Sequence, residues 1–184
     1  ADNRIVLRRA WVERVDFAAK ALHTDAGDAI EYDTLLLATG SKPNRFGWPG
    51  QDLDGVQGLY SYQELESMEA GTADIQRAVI IGGGLIGIEM AEMLRTRDIP
   101  VTFLVREKAW MERVTPAEES AAIAREIRRH GVDLRLGTEL ERIEGDANGR
   151  VRAEVTTAGE TVPCGFVGMA VGVSTDVAIF EEWP

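Results

Sequence analysis

A short apolar run, Ala78-Val79-Ile80-Ile81, leads without a spacer into Gly82-Gly83-Gly84 and then into Leu85 to Arg95, a stretch of helical composition. The run does not alternate, so as a strand it must be buried on both faces, as in a parallel sheet covered on both sides. Leu85, Ile86, Ile88, Met90, Ala91, Met93 and Leu94 give the following helix a wide apolar face. A second buried strand, residues 101–105, follows with Pro100 at its head, where no ladder donor is lost. Strand, glycine turn, helix and strand in this order predict a βαβ unit and therefore an α/β domain.

The rest of the chain extends that unit. Residues 116–130 read as a helix with Thr115 as N-cap, Pro116 in the first position and Glu118 and Glu119 in the first turn. Gly131 ends that helix, and residues 132–136 are the third strand. The period then changes to two at residues 140–143, 151–155 and 161–164, which predicts a small antiparallel meander, before another buried strand at 166–171. Ahead of the unit, Val12, Val15 and Phe17 begin a strand-like segment. Residues 25–28 form a turn between two short alternating runs, and Leu35-Leu36-Leu37-Ala38 reads as a buried strand ending at Thr39-Gly40. Prolines 43 and 49 and glycines 47, 50, 55 and 58 make residues 41–58 an irregular connection, and residues 62–70 a short helix stopped by Gly71.

Composition narrows the class of function. The 184 residues suffice for one domain and part of another. One cysteine excludes an internal disulfide and a cysteine zinc site, and no metal site is expected. No window reaches the roughly 18 uninterrupted apolar residues of a membrane span, and the segment ADNRIVLRRA has no apolar core. A soluble, cytoplasmic protein is expected, with no membrane partner. Twenty basic against 31 acidic residues leave a net charge of −11, which repels phosphate backbones and argues against nucleic acid.

Gly82-x-Gly84-x-x-Gly87 carries the chemistry. Placed between a strand and a helix, with a second strand about 20 residues on, it reads as a dinucleotide-binding turn. Gly82 permits the tight turn, Gly84 the approach of a pyrophosphate to the helix N-terminus, and Gly87 close packing of helix on strand. Gly83, Leu85 and Ile86 complete the candidate cradle. The competing reading is a glycine turn with no ligand. Nucleotide choice falls at Val105-Arg106-Glu107-Lys108, where an acid would hold the adenosine ribose and an arginine a 2′-phosphate. If Val105 faces the ribose no acid is present, whereas a register shifted by two gives that role to Glu107. The position of Arg106 nearer the strand end inclines the reading toward NADPH over NADH.

LLLATGSKP, GGGLIGIEMAEML and VTFLVREKAW together resemble the FAD- and NAD(P)-dependent pyridine nucleotide-disulfide oxidoreductase superfamily, which includes glutathione-reductase-like enzymes, NADH oxidases and the reductase portion of nitrite reductases. The resemblance implies a Rossmann-like NAD(P)-binding domain of three-layer ββα character with the small meander, flanked by strands of an incomplete FAD domain. It implies boundaries at residues 1–55 for the partial FAD domain, 56–175 for the NAD(P) domain and 176–184 for the return toward the FAD domain. Thr39 and Gly40 would lie beside FAD, and Pro49-Gly50 would close the loop into the NAD domain. Gly172 would follow the strand that returns the chain to the flavin. Glu89 is implied as the candidate catalytic residue, directed at the nicotinamide–flavin contact and paired with a lysine of the FAD domain.

The chain departs from the superfamily in several ways. No flavin-binding glycine fingerprint precedes Arg4, the chain stops at Pro184 before the superfamily's later flavin-holding Gly-Asp motif, and Leu85 stands where glutathione-reductase-like members place an aromatic gate. A CxxxxC pair is absent, and Cys164 reads as a small buried hydrophobe. The expectation is therefore a nicotinamide-binding piece whose FAD and dimerisation domains lie before Ala1 and after Pro184, with NAD(P)H as its ligand, FAD in the full-length protein and a homodimer as a possible assembly. The alternative is a non-catalytic Rossmann sensor of nucleotide redox state. A short-chain dehydrogenase lacks its Tyr-x-x-x-Lys pair, since Tyr32, Tyr60 and Tyr62 are followed four residues later by Leu36, Glu64 and Glu66.

Overall fold

The computed structural model describes residues 4–177. The chain divides into two compact units, one of Ala1–Gly40 with Thr175–Pro184 and one of Ser41–Ser174. Residues 178–184, most of the expected return segment, lie outside the described residues.

In the first unit, β1 (Val12–Asp16), β2 (Ala21–Thr24) and β3 (Ala29–Glu31) form an antiparallel sheet in sequence order. The expected turn joins β2 to β3: Gly27 takes φ +83°, a value that costs glycine little, and its N–H donates to Thr24 O at 2.9 Å. The apolar run at residues 35–38 does not form the buried strand its composition predicts, and Leu36 is 88% exposed. Among the described residues no strand lies beside this run to exchange backbone hydrogen bonds with it, so its pattern for burial on two faces is unmet.

The second unit opens with two short strands, β4 (Ser41–Pro43) and β5 (Val56–Gln57), inside the stretch expected to be wholly irregular. Helix α1 (Tyr62–Gly71) starts at Ser61, whose hydroxyl accepts the N–H of Glu64. There follow β6 (Ala78–Ile81), α2 (Leu85–Arg95), β7 (Val101–Val105), α3 (Ala117–Arg129) and β8 (Asp133–Leu136). The meander is β9 (Leu140–Gly145), β10 (Val151–Thr156) and β11 (Thr161–Pro163), and the last two strands are β12 (Phe166–Met169) and β13 (Val173–Thr175). A parallel sheet runs in the order β5-β12-β6-β7-β8, the meander pairs as β11-β10-β9, and β13 pairs with β4.

The central strands are buried on both sides, and each side has its own core. Ala78, Ile80, Phe103 and Phe166 meet Met68 of α1, Met90, Ala91 and Leu94 of α2, and Ala124 and Ile127 of α3. Val79, Ile81, Leu104 and Val167 meet Leu140, Ile143, Val151 and Val162 of the meander. The unit is therefore three layers: helices, parallel sheet and antiparallel sheet. Two further local expectations are corrected. Helix α3 is capped by Pro116 with no side-chain bond, because the Thr115 hydroxyl turns to the carbonyls of Trp110 and Met111 and to Ser120 Oγ at 2.7 Å. Strand β12 stops at Met169, two residues short of the apolar run, because the chain leaves the ladder toward Gly172 at φ +90°. Among the described residues no helix is long and apolar enough to cross a membrane.

Candidate functional site

Strand β6 ends against its neighbours in a way that only glycine allows. Gly82 has φ +105°, donates its N–H to Leu104 O at 2.9 Å, and leaves no room for a side chain: a Cβ there would stand 2.3 Å from Ala170 O. A Cβ on Gly83 would meet Cγ1 of Val105 at 2.8 Å. On Gly87, one turn into α2, it would lie 2.5 Å from Gly82 O and 2.8 Å from Cζ of Phe103. The chain's own packing thus requires Gly82, Gly83 and Gly87.

Gly84 is different. It is the N-cap of α2, with extended backbone at φ −88° and ψ −178°, and nothing lies within 4 Å of where its Cβ would be. No contact within the protein calls for glycine here. The first N–H groups of a helix have no intrahelical acceptor and carry its positive pole, so a bare backbone at this point suits an approaching anion.

The open face belongs to a cavity of 590 Å³ at the carboxyl ends of β6, β7 and β12, the place where ligands bind in open parallel sheets. It gathers Gly82, Gly83, Gly84, Arg106, Glu107 and Gly172 from the sequence-predicted set. Leu85, Ile86 and Glu89 stand on α2 outside its lining; Leu85 is 67% exposed, Glu89 is exposed, and Ile86 packs toward the helical core. Thr39 and Gly40 belong to the first unit, where the Thr39 hydroxyl donates to Asp176 O at 2.6 Å and Gly40 O accepts the N–H of Asp176 at 3.0 Å.

Sequence reasoning missed the remaining walls. Phe46 and Trp48, an edge-to-face pair with ring centroids 5.2 Å apart, line one side, and residues 111–114 and 138–140 line others. Two aromatics spaced by two inside a proline- and glycine-rich connection were the available signal for the first wall. Gly137 at the end of β8, with φ +64°, was the signal for the last.

At the end of β7 the register is fixed by packing. Val105 is buried against Gly83, so an apolar side chain occupies the place beside the glycine turn. Arg106 comes next and donates to Glu107 Oε1 at 3.1 Å, with 65% of its own side chain exposed. Burial pushes the Glu107 carboxyl up. A hydrogen bond from its own backbone N–H, that from Arg106, and the charges of Arg106 and Arg113 outweigh burial and hold it below the usual carboxylate range. Cys164 is far from such activation: burial, with the charge of Glu154, pushes its thiol up to about 12.

The family model of pyridine nucleotide-disulphide oxidoreductases matches residues 2–183. Rhodocoxin reductase of Rhodococcus erythropolis is 32% identical over 179 residues, covering 97% of this chain and 42% of that protein. NADH oxidase of Lactococcus lactis is 29% identical over 183 residues, covering 96% and 41%. Among solved structures, the ferredoxin reductase for the CYP199A2 system from Rhodopseudomonas palustris superposes with a TM-score of 0.88 at 30% identity, covering 97% of this chain and 44% of that one. The chain spans less than half the length of these relatives. A match over nearly every residue, on a glycine turn set between parallel strands, means that the chain belongs to the pyridine nucleotide-disulphide oxidoreductase family.

Proposed function

We propose that the Ser41–Ser174 unit holds the nicotinamide dinucleotide of a flavin-dependent NAD(P)H oxidoreductase. The observation that carries this reading is Gly84, the one glycine of the turn that no neighbour requires, facing the cavity at the start of α2. In this reading the N–H groups after Gly84 receive the pyrophosphate, Arg106 and Glu107 meet the adenosine ribose, and Gly172 borders the nicotinamide half. When bound, the dinucleotide supplies a hydride, which the flavin of the whole protein receives.

The chain's own residues orient that ligand. A rigid turn, wedged by Ala170 on one side and Val105 on the other, fixes the backbone donors before the ligand arrives, so little ordering remains to oppose binding. Glu89, exposed on the same helix, is proposed to act at the nicotinamide–flavin contact and to pair there with a lysine of the flavin domain. Thr39 and Gly40 are proposed to lie beside FAD. The described residues of the first unit contain no glycine turn before a helix, so they would not hold a flavin by themselves. Val105 beside the turn and Arg106 after it favour NADPH over NADH. The preference is modest, because a 2′-phosphate must compete with Glu107 for Arg106.

Isothermal titration of the chain with NADH and NADPH tests the proposal. Saturable binding of either supports it, and no binding of both at millimolar concentration overturns it. Retention of FAD is not required.

A further inference from the structure

Glu154, on the central strand of the meander, faces an apolar layer. Its register partners are Ile143 of β9 and Val162 of β11, both core residues against the parallel sheet, and directly opposed residues share a face. The irregularity between Val151 and Ala153 puts it there by shifting β10 out of simple alternation. Glu154 has no solvent exposure, and neither carboxyl oxygen has a hydrogen-bond partner. A carboxylate cannot remain in such a place uncompensated.

Two charged groups act on it, one from β8 and one from the turn after β10. From β8 comes Arg135, which contacts Asp133 Oδ2 at 2.8 Å and Glu160 Oε1 at 2.7 Å. Glu160 stands in the turn between β10 and β11, and its side chain is 57% exposed. Cys164, after β11, feels the charge of Glu154, and that of Arg77, which donates to Thr102 Oγ1 at 3.0 Å. Arg135 is thus the cation whose charge acts on Glu154, and it is already engaged by a carboxylate that water could solvate instead.

We propose that Glu154, Arg135 and Glu160 form a proton-operated switch: while Glu154 is protonated Arg135 bridges Asp133 and Glu160, and when the proton leaves for solvent Arg135 exchanges Glu160 for Glu154. Burial raises the Glu154 carboxyl to about 7, the positive charge of Arg135 opposes this, and the charge of Glu160 adds to it. The exchange therefore falls near neutrality. The folded value lies above the unfolded one, so the stabilising contribution is complete below the unfolded value, near 4.5, and is lost as pH rises through about 7.

The test is a carboxyl carbon and arginine Nε NMR titration of the labelled chain, with pH-dependent chemical unfolding of wild type and Glu154→Gln. The Glu154 carboxyl should titrate near pH 7. The Arg135 Nε and Glu160 carboxyl signals should bend at the same pH, and their bends should vanish in Glu154→Gln. The folding constant of wild type relative to that variant should fall by about 80-fold between pH 4.5 and 7. Glu160→Gln removes the competitor and should lower the titration point of Glu154; this keeps the test open if Glu154→Gln does not fold. Titration of Glu154 near 4.5, Arg135 and Glu160 signals that pass through its titration without a bend, or an unmoved midpoint in Glu160→Gln would overturn the switch.

Discussion

Gly87 and Phe103 touch so closely that helix α2 can rest on β7 only without a side chain between them: a Cβ on Gly87 would stand 2.8 Å from Phe103 Cζ. Phe103 is fully buried and held edge-to-face by Trp110 at 5.2 Å, so it cannot yield. Gly87→Ala should therefore destabilise the domain by about 1–3 kcal/mol despite alanine's better helix propensity. Calorimetry would show this as a melting temperature several degrees lower, and an unchanged melting temperature would contradict the packing role.

Val105, Arg106 and Glu107 make the choice of coenzyme testable. Arg106→Ala should weaken NADPH binding about tenfold, the value of one charge-assisted hydrogen bond, and NADH binding much less. Glu107→Gln frees Arg106 and should shift the ratio the opposite way. Titration calorimetry with both coenzymes reads the ratio directly. A ratio that neither substitution moves would place the adenosine ribose elsewhere.

Arg150 ties three segments of the second unit together. It pairs with Asp54 at 2.9 Å, donates to Gly71 O at the end of α1 at 2.7 Å, and donates to Gly165 O at 3.3 Å. One guanidinium nitrogen, Nη1, serves Asp54 while the other, Nη2, serves both carbonyls, a division that needs the planar fork lysine lacks. Arg150→Ala should cost about 2 kcal/mol, and Arg150→Lys should recover less than half of it. Urea unfolding of the two variants measures both values, and full rescue by lysine would reduce Arg150 to its exposed ion pair.

Cys164 should resist thiol reagents in the folded chain. With its thiol pushed up to about 12, the thiolate fraction at pH 8 is about a thousandfold below that of a free cysteine, and burial slows attack further. Reaction with a disulfide reagent should appear only in denaturant. Rapid labelling of native protein would mean that the layer between the sheets opens readily.

Much of this was legible in the sequence, for physical reasons that differ by element. The strands β6 and β7 and helix α2 were plain because uninterrupted apolar runs and a 3.6-residue period are local signals, and the glycines 82, 84 and 87 marked the turn between them. Their assembly with Arg106, Glu107 and Gly172 around one cavity follows from parallel strands that all end on one side. Long-range terms were hidden. Residues 35–38 have the composition of a buried strand and lack the neighbours to become one. Phe46 and Trp48 reach the cavity through a connection with no period to read. Glu154 sits among residues that alternate, and only the irregularity in β10 reveals that it turns inward.

The account rests on the open face of Gly84, and Gly84→Val tests it most directly. At φ −88° with empty space beyond, valine should fit at a cost of about 1 kcal/mol or less, leaving the melting profile nearly intact. Its side chain would occupy the approach to the helix N-terminus. Titration calorimetry should show that wild type binds NADPH or NADH and that Gly84→Val, folded to the same extent, has lost at least tenfold in affinity. Equal affinity in the two proteins would contradict the proposal that this turn receives the dinucleotide.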